Sequence, residues 1–181
     1  MQRPARQTSV RAGLRVLAAL GLLLGAPGLA ARRADAANQG IVTAQNGQFV
    51  LNGAPFRFVG TNAYHLHVTA AADSFVQTDE TMALAQSLGL KVLRIWAFGD
   101  GDSYGQALQP APGVYDEANF RALDYVLHKA DQAGLRLLLV LVNHWTQFGG
   151  MPQYVAWCAP GQSVHAFYTH PTCRDLYKRY V

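Results

Sequence analysis

One phrase occurs twice in the 181-residue chain, as QSLGLKVLRIW over residues 86–96 and as DQAGLRLLLVLVNHW over residues 131–145. Each copy runs from a polar segment through a glycine and a basic residue into an apolar run that closes on tryptophan. Glycine commonly follows the last turn of a helix, because it adopts the left-handed conformation without strain. The repeat therefore predicts two successive units of helix, glycine and strand.

The first unit is bounded by residues that favour helix ends. Thr78 and Asp79 can cap a helix over residues 79–88, and Gly89 follows its end. The apolar run KVLRIWAF then predicts a strand. A glycine- and proline-rich segment over residues 99–114 predicts a long loop after that strand.

The second unit repeats this order. Asp116 can cap a helix that runs to about Ala133 and is ended by Gly134. The run LRLLLVLV predicts the next strand. A second long loop is expected over residues 146–170, and Pro171 opens another helix.

A hairpin is predicted before the first unit. Asn52 and Gly53 separate two apolar runs, and this dipeptide suits a tight turn in which both central residues have positive φ. Residues 49–51 are therefore expected to pair with residues 56–59. The second run is expected to continue into a buried strand that ends near Asn62.

The alternation of helices and strands predicts an α/β fold with a parallel sheet. Runs such as LLLVLV lack in–out alternation, which is typical of strands covered on both faces. The turns from helix to strand are short, and the connections from strand to helix are long. This asymmetry is typical of a (β/α)8 TIM barrel, in which the long loops build the active site. A doubly wound open sheet would alternate similarly, although the segment after the first strand lacks the G-x-G-x-x-G fingerprint.

Polar and aromatic residues follow each predicted strand. An aromatic ring offers a flat apolar face and neighbouring polar groups fix orientation, so this mixture suits a polyhydroxylated ligand. Core packing of the tryptophans and a structural role for the histidine remain open alternatives. The candidate residues are Asn62 and Tyr64 after the first strand, Arg94 and Trp96 at the second, and Asn143, His144 and Trp145 at the third.

Arg94 and the histidines raise separate questions. Arg94 lies within an apolar strand, and a buried guanidinium needs an anionic or strongly polar partner. It either orients a catalytic carboxylate or forms a structural ion pair. His65 and His67, with His144, also allow a metal-dependent barrel hydrolase, although further ligands would have to come from later strands.

Several segments in order resemble glycoside hydrolase family 5, in particular its secreted endo-β-1,4-mannanases, over about residues 45–181. They are FVLNGAPFRFVGTNAYHL, VLRIWAFGDG, ALQPAPGVYDEANFRALDYVLHKADQAGLRLLLVLVNHW, FGGMPQYVAW and FYTHPTCRDLYKRYV. The resemblance implies a (β/α)8 barrel that cleaves mannan, glucomannan or galactomannan with retention, uses two glutamates and needs no cofactor.

The resemblance also assigns expected roles to individual residues. Arg94 matches the arginine that hydrogen-bonds the nucleophilic glutamate. The sugar subsites are expected to include Asn62, Tyr64, Trp96, Asn143, His144 and Trp145. The sequence departs from the family pattern at His65, where a tryptophan is expected nearby, and at His144, where an asparagine is expected nearby.

The two glutamates of the chain do not fit the catalytic positions. Glu80 and Glu117 both fall in the first turn of a predicted helix, where a carboxylate favours the helix dipole. The resemblance places the catalytic glutamates at the ends of the fourth and seventh strands. The chain is therefore expected to hold about three of eight units of the enzyme, and to be inactive and poorly folded alone. The alternative is a non-catalytic carbohydrate-binding remnant.

The N-terminus predicts export. Residues 1–36 combine an arginine-rich start, an apolar stretch over residues 16–30 and an Ala-Asp-Ala cleavage site that ends at Ala36, which is typical of a signal peptide. Fifteen apolar residues are short for a membrane span, which needs about 20. The protein is expected to be secreted and free of the membrane after cleavage, with residues 37–181 in the catalytic domain.

The charge distribution and the two cysteines indicate which binding partners and which disulfide to expect. The net charge of +4 comes from the leader, since residues 37–181 carry nine lysines and arginines against ten aspartates and glutamates. No basic patch for nucleic acid is expected, and the full-length protein is expected to be a monomer. Cys158 and Cys173 are candidates for one disulfide in an exported chain, with two buried thiols as the alternative.

Overall fold

The computed structural model describes residues 40–72, 75–101 and 104–181. Within these ranges the chain forms two three-stranded sheets and six helices. The predicted signal peptide lies outside the described residues. No helix in the described ranges has the length and apolar character that crossing a bilayer requires.

The first sheet is antiparallel and contains β1 (Val42–Gln45), β2 (Gln48–Leu51) and β3 (Ala54–Pro55). The hairpin predicted at Asn52 and Gly53 is confirmed, and both residues have positive φ, 51° and 79°. The partner strand is β3 rather than residues 56–59. An identical Asn-Gly dipeptide between β1 and β2 forms a further hairpin that the sequence analysis did not use.

The second sheet is parallel and contains β4 (Gly60–Asn62), β5 (Val92–Trp96) and β6 (Arg136–Val140), with β5 in the centre. Its register places Asn62 beside Arg94, and Arg94 beside Leu138. The prediction of a parallel α/β sheet is therefore confirmed. The carboxyl ends of all three strands lie at the same edge.

Several predicted helix boundaries are confirmed. The helices are α1 (Leu66–Ala71), α2 (Phe75–Ser87), α3 (Glu117–Gln132), α4 (Gly150–Cys158), α5 (Ala166–Thr169) and α6 (Pro171–Tyr180). Asp116 caps α3, because its Oδ1 accepts the backbone N–H of Asn119 at 2.9 Å. Gly89 and Gly134 follow α2 and α3 with φ of 70° and 68°, the left-handed conformation that the repeat predicted.

The predicted start of α2 is wrong. The helix spans Phe75–Ser87, so Asp79 lies inside it and does not cap it. Asp79 instead accepts the hydroxyl of Tyr125 at 2.8 Å and pairs with Lys129 at 3.1 Å, which ties α2 to α3. The same shift moves Glu80 out of the first turn, whereas Glu117 remains there.

The segment over residues 146–170, predicted as a long loop, contains α4 and α5. The glycines and the proline at the start of α4 account for the error. Gly149 is the N-cap, which puts Pro152 in the first turn. Backbone N–H groups in the first turn have no partner within the helix, so proline is tolerated there. The short helix α1 was also not predicted.

The parallel sheet is packed on one face only. Leu93 and Ile95 of β5 are fully buried against α1–α3, and full burial of such a side chain contributes about 1.5–3 kcal/mol. On the other face Arg94 is exposed, Leu138 is 49% exposed and β4 is exposed throughout. The predictions of a sheet covered on both faces, of a buried first strand and of a buried Arg94 are therefore wrong within the described residues.

A second core joins α4, α5 and α6. It includes Tyr154, Phe167 and Leu176, and it surrounds the disulfide between Cys158 and Cys173. Closing a loop of this size contributes about 3 kcal/mol in the chain-entropy account. The end of α6 is also tied to the parallel sheet, because the Tyr180 hydroxyl donates to the carbonyl of Ala97 at 2.7 Å.

Candidate functional site

The clearest functional grouping lies at the carboxyl ends of β4 and β5. Arg94 Nη1 donates a hydrogen bond to Asn62 Oδ1 at 3.0 Å. The strand register produces this contact, since the two residues are direct neighbours across the sheet. A guanidinium has more N–H donors than this one bond uses. Exposed Arg94 can therefore also bind a carboxylate that approaches this face.

An aromatic cluster stands next to this pair and consists of Tyr64, Trp96, Tyr104 and Phe148. The rings of Tyr64 and Trp96 lie 4.9 Å apart, and the backbone N–H of Trp96 donates to the Tyr64 carbonyl at 3.3 Å. Phe148 meets Trp96 edge-on at 4.6 Å, and Tyr104 lies 4.8 Å from Phe148. The structure thus brings together four predicted site residues, which are Asn62, Tyr64, Arg94 and Trp96.

Phe148 and Tyr104 were missed by the sequence analysis. Both have positive φ, 63° and 55°, in a region that favours glycine. The segment FGG at residues 148–150 held a usable indication, because glycine is favoured where backbone segments approach closely. A cavity of about 450 Å³ opens beside these two rings, and Gln147 and Gln153 add polar groups to its lining.

Asn143, predicted to bind substrate, is used within its own loop. Its Oδ1 accepts the backbone N–H of Trp145 at 3.2 Å, and its Nδ2 donates to the carbonyl of Gln147 at 3.0 Å. Its own carbonyl accepts from Met151 at 2.9 Å, at the start of α4. These bonds shape the turn after β6, which ends at Val140 rather than at residue 142.

His144 and Trp145 lie on the outside of the same turn. Trp145 is 68% exposed, and its ring is 6.3 Å from that of His144. The His144 ring lies 6.5 Å from His165, which precedes α5. Their described contacts run within the loop and toward α5, not into the aromatic cluster. Roles for Asn143, His144 and Trp145 in sugar binding stay predictions.

His65 and His67 do not form a metal centre with their described neighbours. His67 is fully buried in α1, where burial lowers its pKa to about 4 against the opposing effect of the Trp96 backbone. Its ring lies 6.5 Å from Phe148, so it supports the aromatic cluster from below as a neutral side chain. Among residues 40–72, 75–101 and 104–181, no three histidine, cysteine or acidic side chains are grouped to hold a metal ion.

The two glutamates of the described residues do not form a catalytic pair. Glu80 and Glu117 are exposed on α2 and α3, away from the strand ends. Asp100 is 1% exposed in the loop after β5, and burial raises its pKa to about 7. Hydrogen bonds from the backbone of Gly150 and from the Tyr154 hydroxyl act in the opposite direction.

Sequence comparisons agree with this arrangement. A family model described as GH family 5 beta-mannosidase-like matches residues 39–181. Mannan endo-1,4-beta-mannosidase 1 of Solanum lycopersicum is 41% identical over 150 residues, covering 80% of this chain and 37% of that protein. Mannan endo-1,4-beta-mannosidase 1 of Oryza sativa subsp. japonica is 40% identical over 177 residues, covering 94% and 40%. The chain thus spans about two fifths of the length of these curated relatives.

A structural comparison identifies the fold. The chain matches the hyperthermostable endo-1,4-beta-D-mannanase from Thermotoga petrophila RKU-1 with a TM-score of 0.63 and 39% identity. The match covers 69% of this chain and 37% of that chain. Such mannanases are (β/α)8 barrels, so the predicted barrel class is confirmed and a doubly wound sheet is excluded. Strands β4–β6 are three successive strands of that architecture.

Proposed function

The chain belongs to the beta-mannosidase-like group of glycoside hydrolase family 5, and on that premise we propose that the whole protein is a retaining endo-β-1,4-mannanase. Its substrates are mannan, glucomannan or galactomannan. The observation that carries this proposal is the Asn62–Arg94 pair beside Trp96 at the carboxyl edge of a parallel sheet. That edge is where barrel enzymes of this architecture build their active sites.

In the proposed mechanism two glutamates act on opposite sides of the scissile bond, with their carboxyl groups about 5–5.5 Å apart. One protonates the leaving oxygen, and the other attacks the anomeric carbon and forms a glycosyl intermediate that water then hydrolyses. Glu80 and Glu117 are exposed on helices, so both catalytic carboxylates come from outside these 181 residues.

Arg94 serves the nucleophile in this mechanism. Its guanidinium is always charged and can hold a carboxylate in a fixed orientation. A nearby positive charge also favours the ionised form of a carboxyl group, which keeps the nucleophile deprotonated. Asn62 holds the guanidinium from the neighbouring strand, which fixes the direction in which its remaining N–H groups point.

The aromatic residues bind the sugar. Trp96 and Tyr64 offer apolar ring faces to the C–H surfaces of mannosyl units, and the Tyr64 ring is 41% exposed. Asn62 and Arg94 supply hydrogen bonds to hydroxyl groups on the same side. Asn143, His144 and Trp145 would contact units of the polymer that lie farther from Arg94.

We further propose that residues 1–36 are a cleaved signal peptide and that the protein is secreted. The arginine-rich start and apolar stretch of the leader support export. The Cys158–Cys173 disulfide also supports it, because disulfides persist in oxidising compartments. Residues 37–181 are nearly neutral, which favours a polysaccharide over a nucleic acid as the binding partner. A monomer without membrane attachment or a cofactor suffices for this chemistry.

The test is hydrolysis by the whole protein. An endo-acting enzyme lowers the viscosity of soluble galactomannan much faster than it releases reducing ends. Proton NMR early in the reaction should show the β-anomer first, as retention requires. Carboxymethyl cellulose serves as the control polymer. Absence of mannan hydrolysis by a folded whole protein would refute the proposal, and turnover by residues 37–181 alone would refute the external position of the glutamates.

A non-catalytic carbohydrate-binding role is the second candidate. It is favoured by the aromatic cluster, since both described glutamates, Glu80 and Glu117, lie on helices rather than beside these rings. Binding of mannohexaose with no turnover by the whole protein would support this role over the enzyme.

A further inference from the structure

Phe148 occupies the centre of the aromatic cluster in a backbone conformation that phenylalanine rarely adopts. Its φ of 63° lies in the left-handed region, where a bulky residue is an outlier. Its ring nevertheless contacts both Trp96 and Tyr104. Such conformations persist where surrounding contacts over-determine them, and they concentrate at functional sites.

The main chain of Asp100 supplies one of these contacts. Its backbone N–H donates to the carbonyl of Phe148 at 2.9 Å. The next residue, Gly149, lies so close to Asp100 that a Cβ atom there would collide with the Asp100 carbonyl oxygen. The loop after β5 and the loop after β6 therefore touch backbone to backbone at this point, and only glycine permits the approach.

The side chain of Asp100 supplies a second anchor. Its Cβ atom also lies against Gly149, the N-cap of α4. The backbone N–H of Gly150 and the hydroxyl of Tyr154 lower the pKa of its buried carboxyl group, against the larger effect of burial. Tyr154 is itself fully buried. One residue thus bonds to Phe148 through its main chain and packs with its side chain against the start of α4.

Among the described residues, tyrosines lie around this carboxyl group. Charge interactions connect Asp100 with Tyr154, Tyr177 and Tyr180, all of which have raised pKa values chiefly because of burial. Tyrosine hydroxyl groups can donate directed hydrogen bonds to a carboxyl group. This suits a role in fixing geometry.

We propose that Asp100 is a positioning residue that fixes the ring of Phe148 against Trp96, and that Phe148 forms one wall of the mannan-binding site. The identity of the ligand rests on the proposed function, whereas the positioning does not. The cavity beside this wall, lined also by Tyr104, Gln147 and Gln153, has the aromatic and amide groups that suit a mannosyl unit.

A ligand-free experiment tests the positioning. The whole protein is compared with its D100N and F148A variants by its tryptophan indole N–H resonances, with that of Trp96 assigned through W96F. D100N and F148A should both shift the Trp96 resonance. D124N, which changes an exposed aspartate of α3, should leave it unchanged. An unshifted Trp96 resonance in folded D100N would overturn the inference.

A binding experiment tests the consequence. D100N and F148A should each weaken mannohexaose binding about tenfold, and the double variant should bind no more weakly than F148A, since coupled residues are non-additive. Unchanged affinity with a lowered melting temperature would show a merely structural role and overturn the inference. If D100N does not fold, Y154F, which removes only the Tyr154 hydroxyl, decides by the same two readouts. A wild-type protein that binds no mannooligosaccharide refutes the proposed function, while the Trp96 resonance still decides the positioning.

Discussion

The ends of β4 and β5 and the loop after β6 hold the same kinds of residue, an amide and an aromatic ring, and use them differently. Asn62 lies in a strand, and its side chain meets Arg94 from the neighbouring strand. Asn143 lies beyond the end of β6, and its side chain satisfies backbone groups of its own turn. A side chain placed by strand register keeps polar groups available to a ligand. A side chain in a tight turn instead uses its polar groups in hydrogen bonds to the backbone of that turn.

The largest difference is expected between Arg94 and Asn143. In the whole protein, R94A should lower kcat on galactomannan about 10²- to 10³-fold, the usual loss when one electrostatic contact to the reacting groups is removed. N143A should change kcat little. Arg121, exposed on α3, provides the charge-matched control as R121A. Equal losses in R94A and N143A would show that the two regions share one role.

Two buried titratable groups flank Phe148 and should have opposite effects on stability. The pKa of Asp100 is raised to about 7, so the folded state holds its proton more tightly and Asp100 lowers stability as the pH rises from about 4 to 7. The pKa of His67 is lowered to about 4, so the unfolded state binds its proton more tightly and His67 raises stability between about pH 4 and 6.5.

Variants at Asp100 and His67 separate these two contributions to the pH dependence of stability. Urea unfolding of D100N should show stability rising by about 3 kcal/mol from pH 4 to 6.5, whereas H67Q should show a fall of similar size between pH 4 and 7. In the wild type the two slopes largely offset each other. The same slope in both variants would contradict the assignment of either pKa shift.

A smaller difference is expected between Trp96 and Trp145 in their contribution to sugar binding. W96A should weaken mannohexaose binding about tenfold, because it removes a ring held in the aromatic cluster. W145A should weaken it less than W96A, since Trp145 is 68% exposed on the outer side of its turn. Isothermal titration of both variants measures the ratio. A larger loss for W145A would move the sugar site toward α5.

The smallest effect concerns the loop alone. N143A should lower the free energy of unfolding by about 1–2 kcal/mol, because two backbone groups lose their partner. N62A should lower it less, since its partner Arg94 is exposed and is solvated in the variant. Thermal unfolding of both variants checks this order, and greater destabilisation by N62A would reverse it.

Sequence reasoning succeeded where local chemistry decides the outcome. Gly89, Gly134 and Asp116 mark helix ends because backbone conformation and capping act within a few residues. The parallel sheet follows from the alternation of units. The meeting of Asn62, Tyr64, Arg94 and Trp96 then follows from the shared edge of that sheet.

Sequence reasoning failed where contacts between segments distant in the sequence determine the structure. Arg94 was expected to be buried because its strand is apolar, but one face of the described sheet is open. Phe148 joins the aromatic cluster at the point where Gly149 packs against Asp100, 49 residues earlier in the sequence. Helix α4 was not predicted because its sequence contains a proline, which the first turn of a helix tolerates.

The most direct test is a crystal structure of the whole protein with mannotetraose bound. We expect a mannosyl ring in van der Waals contact with the face of Trp96, within about 4–4.5 Å, and Arg94 hydrogen-bonded to a glutamate that faces the anomeric carbon. A ligand seated on Trp145 and His144, with Arg94 in contact with neither sugar nor glutamate, would contradict it.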